Sequence, residues 1–152
     1  MTYRLFIAAL ILAPLTAAPV QAAPAPVKAG AKVANFPAFF RDFRAAVLAN
    51  DRQKVADMTR FPFHDYQEGD GNRTANSRAE FLAKYDLILT RGAIEAIRQS
   101  MIRGHEIQSD DGEAPGPIQK GEYLLQAPVL DDQLVFAPAG GTYRLVRIAF
   151  FS

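Results

Sequence analysis

The chain is predicted to be an α+β domain, with helices first and an antiparallel sheet last. Three observations lead there: an aromatic stripe at helical spacing from Phe36, a helix-capping signature at residues 77–80, and a switch of the apolar period to two after about residue 120. The first element is carried by Phe36, Phe39, Phe40, Phe43 and Val47, with Arg41, Asp42 and Arg44 between them. Those positions share one face of a helix and leave the charges on the other. Asn50-Asp51 reads as a stop followed by an N-cap, so a second short helix over residues 52–58 turns Val55 and Met58 inward.

Residues 60–66 contain Pro62, which disfavours helix at Phe61 and confines a strand to an edge or a strand start. A short edge strand is expected there. Gly69-Asp70-Gly71-Asn72 forms a hairpin tip, with a minor strand at Arg73-Thr74-Ala75. Ser77 and Glu80 have the spacing of a capping box, in which hydroxyl and carboxylate each satisfy a free backbone N–H. The helix that follows places Phe81, Leu82, Tyr85, Ile88 and Leu89 on one face and a Glu80–Lys84 pair outside. After Gly92, a further helical piece is expected from Ile94, Ile97 and Met101.

An acidic, glycine- and proline-containing loop spans residues 110–116, and strands are expected at 122–127, 133–137 and 143–151. Gly140-Gly141 suits a two-residue hairpin, which sets Phe136 opposite Leu145 and Val135 opposite Val146. By alternation, Val135, Val146, Ile148 and Phe150 then meet the helices. Leu134, Phe136, Tyr143, Leu145 and Arg147 fall on the other face, which is too apolar for ordinary solvent contact and points to a partner or homodimer surface. A few aromatics left in solvent are the other reading.

Arg4 precedes an apolar run over residues 5–13 that breaks at Pro14. This is the charge and hydropathy pattern of a secretory signal, and the run is shorter than the roughly 20 residues a membrane span needs. Val20-Gln21-Ala22 supplies small residues at the −3 and −1 positions, so cleavage is expected between Ala22 and Ala23. The expected organisation is therefore a signal peptide over 1–22, a Pro/Ala leader over 23–35 and one domain over 36–152, acting in the periplasm or outside the cell. No stable membrane anchor is expected.

The chain has no cysteine, so no disulfide or lipid-attachment thiol is available and the core must hold the domain. Lys plus Arg number 17 and Asp plus Glu 16, a balance that disfavours nucleic acid as a partner and leaves small molecules and exported proteins. Two widely separated histidines provide no metal-ligand spacing, and no cofactor or metal is expected. The serines lie in no nucleophile elbow, and no glycine-rich phosphate loop precedes a helix.

The runs Phe40-Arg41-Asp42-Phe43, Val55-Ala56-Asp57-Met58 and Phe61-Pro62-Phe63, with Arg78-Ala79-Glu80-Phe81-Leu82 and a terminal sheet, resemble exported bacterial proteins related to the nuclear transport factor 2-like, or cystatin-like, superfamily. The resemblance implies a bent antiparallel sheet wrapped around helices as a cone with an internal pocket. It spans about residues 36–151 and carries no diagnostic catalytic motif, since the superfamily hosts both enzymes and binding modules.

His64, Asp65 and Tyr66 form the densest group of proton-handling side chains. In a strand His64 and Tyr66 share a face, while Asp65 turns toward Phe61 and Phe63, where burial would favour a general base. The competing role for this cluster is to end an edge strand. Tyr85 is a candidate acid, or a core residue whose hydroxyl reaches a backbone partner. The residues therefore predict a soluble, exported, non-catalytic binding or interaction module. The alternative is a small pocket enzyme moving protons on an apolar substrate, as a dehydratase or isomerase does.

Overall fold

A computed structural model describes residues 35–67, 72–104, 118–129 and 132–149. The expected signal peptide with its Ala22–Ala23 junction, nearly all of the leader, the Gly69–Gly71 part of the hairpin tip, the acidic loop and Phe150 lie outside them.

Helix α1 (Phe36–Leu48) begins with a proline in its first turn, where a missing N–H costs nothing, and buries Phe36, Phe39, Phe40, Phe43, Ala46 and Val47. Asn50 adopts φ 54° and reverses the chain. The Asp51 side chain then accepts from the Lys54 N–H at 3.0 Å and starts α2 (Arg52–Asp57), as the sequence predicts. Strand β1 (Thr59–Asp65) follows at one sheet edge. Phe63 and Ala75 exchange backbone hydrogen bonds of 2.8 and 2.9 Å, which places the expected minor strand at Ala75.

Ser77 caps α3 (Arg78–Ala83) by accepting from the Glu80 N–H at 3.3 Å. The Glu80 carboxylate also satisfies a backbone donor, as expected, though that donor is the Asn76 N–H at 2.8 Å and not the Ser77 N–H. Nor does Lys84 pair with Glu80; it donates to the Thr74 carbonyl at 2.7 Å. The chain re-forms as α4 (Tyr85–Ile88), and Phe81, Tyr85, Ile88 and Leu89 are buried along one face as the spacing predicts.

Thr90 caps α5 (Arg91–Arg98), accepting from the Ala93 N–H at 3.1 Å. This helix stops earlier than expected, because Ser100 takes φ 56° and leaves Met101 outside the helix and 38% exposed. Strands β2 (Ile102–Gly104), β3 (Tyr123–Leu125), β4 (Leu134–Ala139) and β5 (Thr142–Ile148) complete a five-stranded sheet in the order β1-β5-β4-β3-β2.

The sheet is mixed rather than wholly antiparallel, since β1 runs parallel to β5 while the other pairs are antiparallel. The intervening chain supplies the long crossover that a parallel pair requires. Gly140 and Gly141 take φ 61° and 81° at the β4–β5 turn, the left-handed pair that a two-residue hairpin demands. The expected pairing of Phe136 with Leu145 is present, but the register then slips, and Val135 faces Arg147 rather than Val146.

The expected assignment of faces is reversed, and the bulge in addition exchanges Ile148 for Arg147 on the helix side. Leu134, Phe136, Leu145 and Ile148 all join the core against the helices, with Tyr143 packed at its margin. Val135 and Val146 lie instead in a smaller cluster with Ile118, Leu124, Ala137 and Ala149. Phe136 meets the rings of Phe36, Phe39, Phe40 and Phe43 at centroid distances between 5.1 and 6.0 Å. A partner or dimer surface made from Leu134, Phe136, Tyr143, Leu145 and Arg147 is thus corrected: its apolar members are core, and Arg147 departs from them. The aromatic stripe of α1 needs an apolar sheet face, and this is the one it covers.

Gly92 sits in the first turn of α5, where alanine ordinarily favours helix by about 1 kcal/mol. A Cβ there would come within 2.8 Å of Asp132 Oδ2, the oxygen that accepts from the Thr90 hydroxyl at 2.6 Å. Gly92→Ala is expected to lower stability by about 1 kcal/mol despite its propensity. Urea unfolding checks this, and a raised midpoint would show that Asp132 swings aside freely.

Candidate functional site

Along β1 the side chains alternate: Thr59, Phe63 and Asp65 are buried, while Arg60, His64 and Tyr66 are more exposed on the opposite face. On that same outer face, the bulge in β5 directs Arg147 toward Glu122, just before β3. Gly121, at φ 86°, turns the chain so that Gln119 and Lys120 border the same space. Together Arg60, Tyr66, Gln119, Lys120, Glu122 and Arg147, with Ala137 and Pro138 of β4, line a cavity of about 380 Å³. Its volume is in the range of small-molecule sites, though its lining is unusually polar.

The base of the cavity is a forked ion pair. Arg147 Nη1 and Nη2 donate to Glu122 Oε1 and Oε2 at 2.7 and 2.6 Å, with both side chains about nine-tenths buried. Glu122 Oε2 also accepts from the Gln119 N–H at 2.8 Å. A two-point pair with an added backbone donor fixes both side chains in place. By contrast, the side chains of Arg60 and Lys120 enter no ion pair or hydrogen bond among the described residues. Glu122 is the single acid in the lining, so the cavity carries an excess of positive charge.

Of the predicted candidates, Tyr66 and Arg147 meet in this cavity. His64 lies beside Tyr66, with ring centroids 5.5 Å apart, and pairs in register with Arg147, yet it stands outside the lining. Asp65 is on the other side of the sheet, so no direct His64–Asp65 dyad exists, as the strand spacing predicts.

Asp65 is not the isolated carboxylate that Phe61 and Phe63 suggest. Its side chain is 0% exposed, and Oδ2 accepts from Arg73 Nε at 2.6 Å while Oδ1 accepts from the Gln67 N–H at 3.1 Å. Arg73 Nη1 also lies 3.7 Å from Asp132 Oδ1, and Asp132 in turn accepts from Thr90. The chain Asp65–Arg73–Asp132–Thr90 therefore ties β1 to the N-terminus of α5. Its geometry is that of a buried latch.

Tyr85 is buried, with the Arg52 guanidinium 4.7 Å above its ring and Phe81 edge-on at 6.0 Å. Its hydroxyl has no hydrogen-bond partner among the described residues, contrary to the backbone contact expected for it. Burial pushes the phenol above its usual pKa, and the nearby Arg52 charge opposes that shift. The folded state then keeps a proton that the unfolded chain releases, so stability falls as pH rises through about 10, the ordinary phenol value. Tyr85→Phe is expected to match or exceed the wild type by up to about 1 kcal/mol, because an unsatisfied buried hydroxyl is removed. It should also lose less stability than the wild type in alkaline urea titrations.

Sequence reasoning missed Arg60, Gln119, Lys120 and Glu122. A signal for one of the charges in the site was present: Arg147 interrupts the otherwise apolar run 145–151, which calls for a buried countercharge. Among the described residues, no cluster of three His, Cys, Asp or Glu side chains is placed to hold a metal, and no helix is long and apolar enough to cross a membrane. No protein-family model, curated protein or solved structure matches the chain.

Proposed function

We propose that the protein is an exported, non-catalytic binding module whose ligand site is the polar cavity on the sheet face turned away from α1. The observation that carries this reading is the lining itself: a rigid Arg147–Glu122 base beside the Arg60 and Lys120 side chains, which have no ion-pair or hydrogen-bond partner among the described residues. The acid–base candidates lend less support to proton-transfer chemistry. Asp65 is committed to Arg73, and His64 lies outside the cavity lining. The charge and hydropathy pattern of residues 1–22 supports export, and the sequence runs at 40–43, 55–58, 61–63 and 78–82 support kinship with the nuclear transport factor 2-like superfamily.

Fragment screening by amide NMR on the full chain tests the site. Hits are expected to move the resonances of Tyr66, Lys120 and Arg147 together; hits that perturb only the α1 side or β2 would refute the assignment. N-terminal sequencing of protein recovered from the cell exterior or periplasm is expected to begin at Ala23.

A further inference from the structure

We infer that the ligand of this cavity is a phosphate dianion, free or as a small monoester, held between Arg60 and Lys120. The inference rests on the binding-site reading above and adds the chemistry of the ligand. It follows from charge balance within the lining. The guanidinium of Arg147 and the carboxylate of Glu122 neutralise each other through two short hydrogen bonds, and the Gln119 N–H adds a third donor to that carboxylate. The base of the cavity is thus electrically closed.

Two positive charges remain, on Arg60 and Lys120, with no anionic partner among the described residues. A neutral guest would leave both uncompensated, and a monoanion would compensate one. A dianion matches both, and a tetrahedral phosphate suits a guanidinium fork together with a compact ammonium donor. The Tyr66 hydroxyl is a further donor of the right type. The cavity, at about 380 Å³, has more room than an inorganic ion fills. Ala137, Pro138 and the Tyr66 ring provide a small apolar wall for an ester group.

Glu122 gives the same site a means of rejection. Held in place by Arg147 and the Gln119 N–H, its carboxylate lets the lining favour guests that engage Arg60 and Lys120 and keep away from the floor. Both binding cations are exposed side chains, so substituting them leaves the core and the buried ion pairs intact.

Isothermal titration of the full chain with inorganic phosphate, phenyl phosphate, succinate and benzyl alcohol tests the inference, with amide NMR followed in parallel. Phenyl phosphate is expected to bind and to shift Tyr66 and Lys120. Arg60→Ala and Lys120→Ala should each weaken it by about ten- to a hundredfold while keeping the wild-type melting temperature. Binding of inorganic phosphate as tightly as phenyl phosphate would assign the site to the free ion; tighter binding of the ester assigns it to monoesters. Both support the dianion. Preference for succinate or benzyl alcohol at the same resonances overturns the phosphate inference and leaves the cavity assignment standing. Phosphate binding that survives both substitutions, or shifts residues elsewhere, overturns the inference as well. If none of the probes binds, the phosphate inference fails, and the fragment screen separately decides whether the cavity binds at all.

Discussion

Asp65→Ala is expected to destabilise the protein by about 3–5 kcal/mol, because it takes the nearest carboxylate, at 2.6 Å, from the buried Arg73 guanidinium. Typical domains hold only about 5–15 kcal/mol in total, so the variant should be largely unfolded at modest urea concentrations. The size of the effect distinguishes a latch from a catalytic residue. Replacing the pair with apolar side chains, Asp65→Leu with Arg73→Met, should recover part of the loss, since the Arg73 charge is removed with its partner while the buried Asp132 carboxylate loses its neighbouring cation. Asp132 keeps its Thr90 hydrogen bond in that double variant. A single-variant loss below about 1 kcal/mol, measured by urea unfolding, would show that the latch carries little of the stability.

Phe136→Ala is the second large effect, expected to cost about 3–5 kcal/mol. Phe136 is fully buried and touches four phenylalanine rings of α1, so its removal opens a void that rigid neighbours fill poorly. Leu145→Asp belongs to the same experiment. On an exposed dimer face it would alter association alone; at a fully buried core position it should abolish folding. Circular dichroism melts of both variants check the assignment of this face, and native-like melting of Leu145→Asp would refute it.

Local signals were the legible part of the fold. The aromatic stripe of α1, the Asp51 and Ser77 caps and the Gly140-Gly141 turn all act within a few residues, so spacing alone reveals them. Strand faces were lost in two steps: alternation sorts residues into two apolar faces without saying which one the helices cover, and the register slip between Val135 and Phe136, which no alternation pattern announces, then exchanges Arg147 and Ile148. Strand β2 escaped notice for a different reason: three residues, ending in glycine, have no period to read. The candidate cavity depended on Arg60, Lys120 and Arg147 being brought to line one space, a placement set by strand order. Asp65 looked reactive because its neighbours in sequence are aromatic, whereas its true environment is decided by Arg73, eight positions along the chain.

The pairing of β1 with β5 has a kinetic meaning. Thr59 meets Leu145, so the first strand made is held in the sheet by the last, and apart from the Ala75 bridge it has no other strand partner among the described residues until nearly the whole domain has emerged. Such long-range closure raises contact order and slows folding relative to a helical bundle of similar size. During that interval the odd face of β1, with Phe61 and Phe63, is open to other chains. Pro62, placed among these aromatics, interrupts the row of backbone donors that an intruding strand would use, and so protects the protein most at the stage when its own sheet is still incomplete.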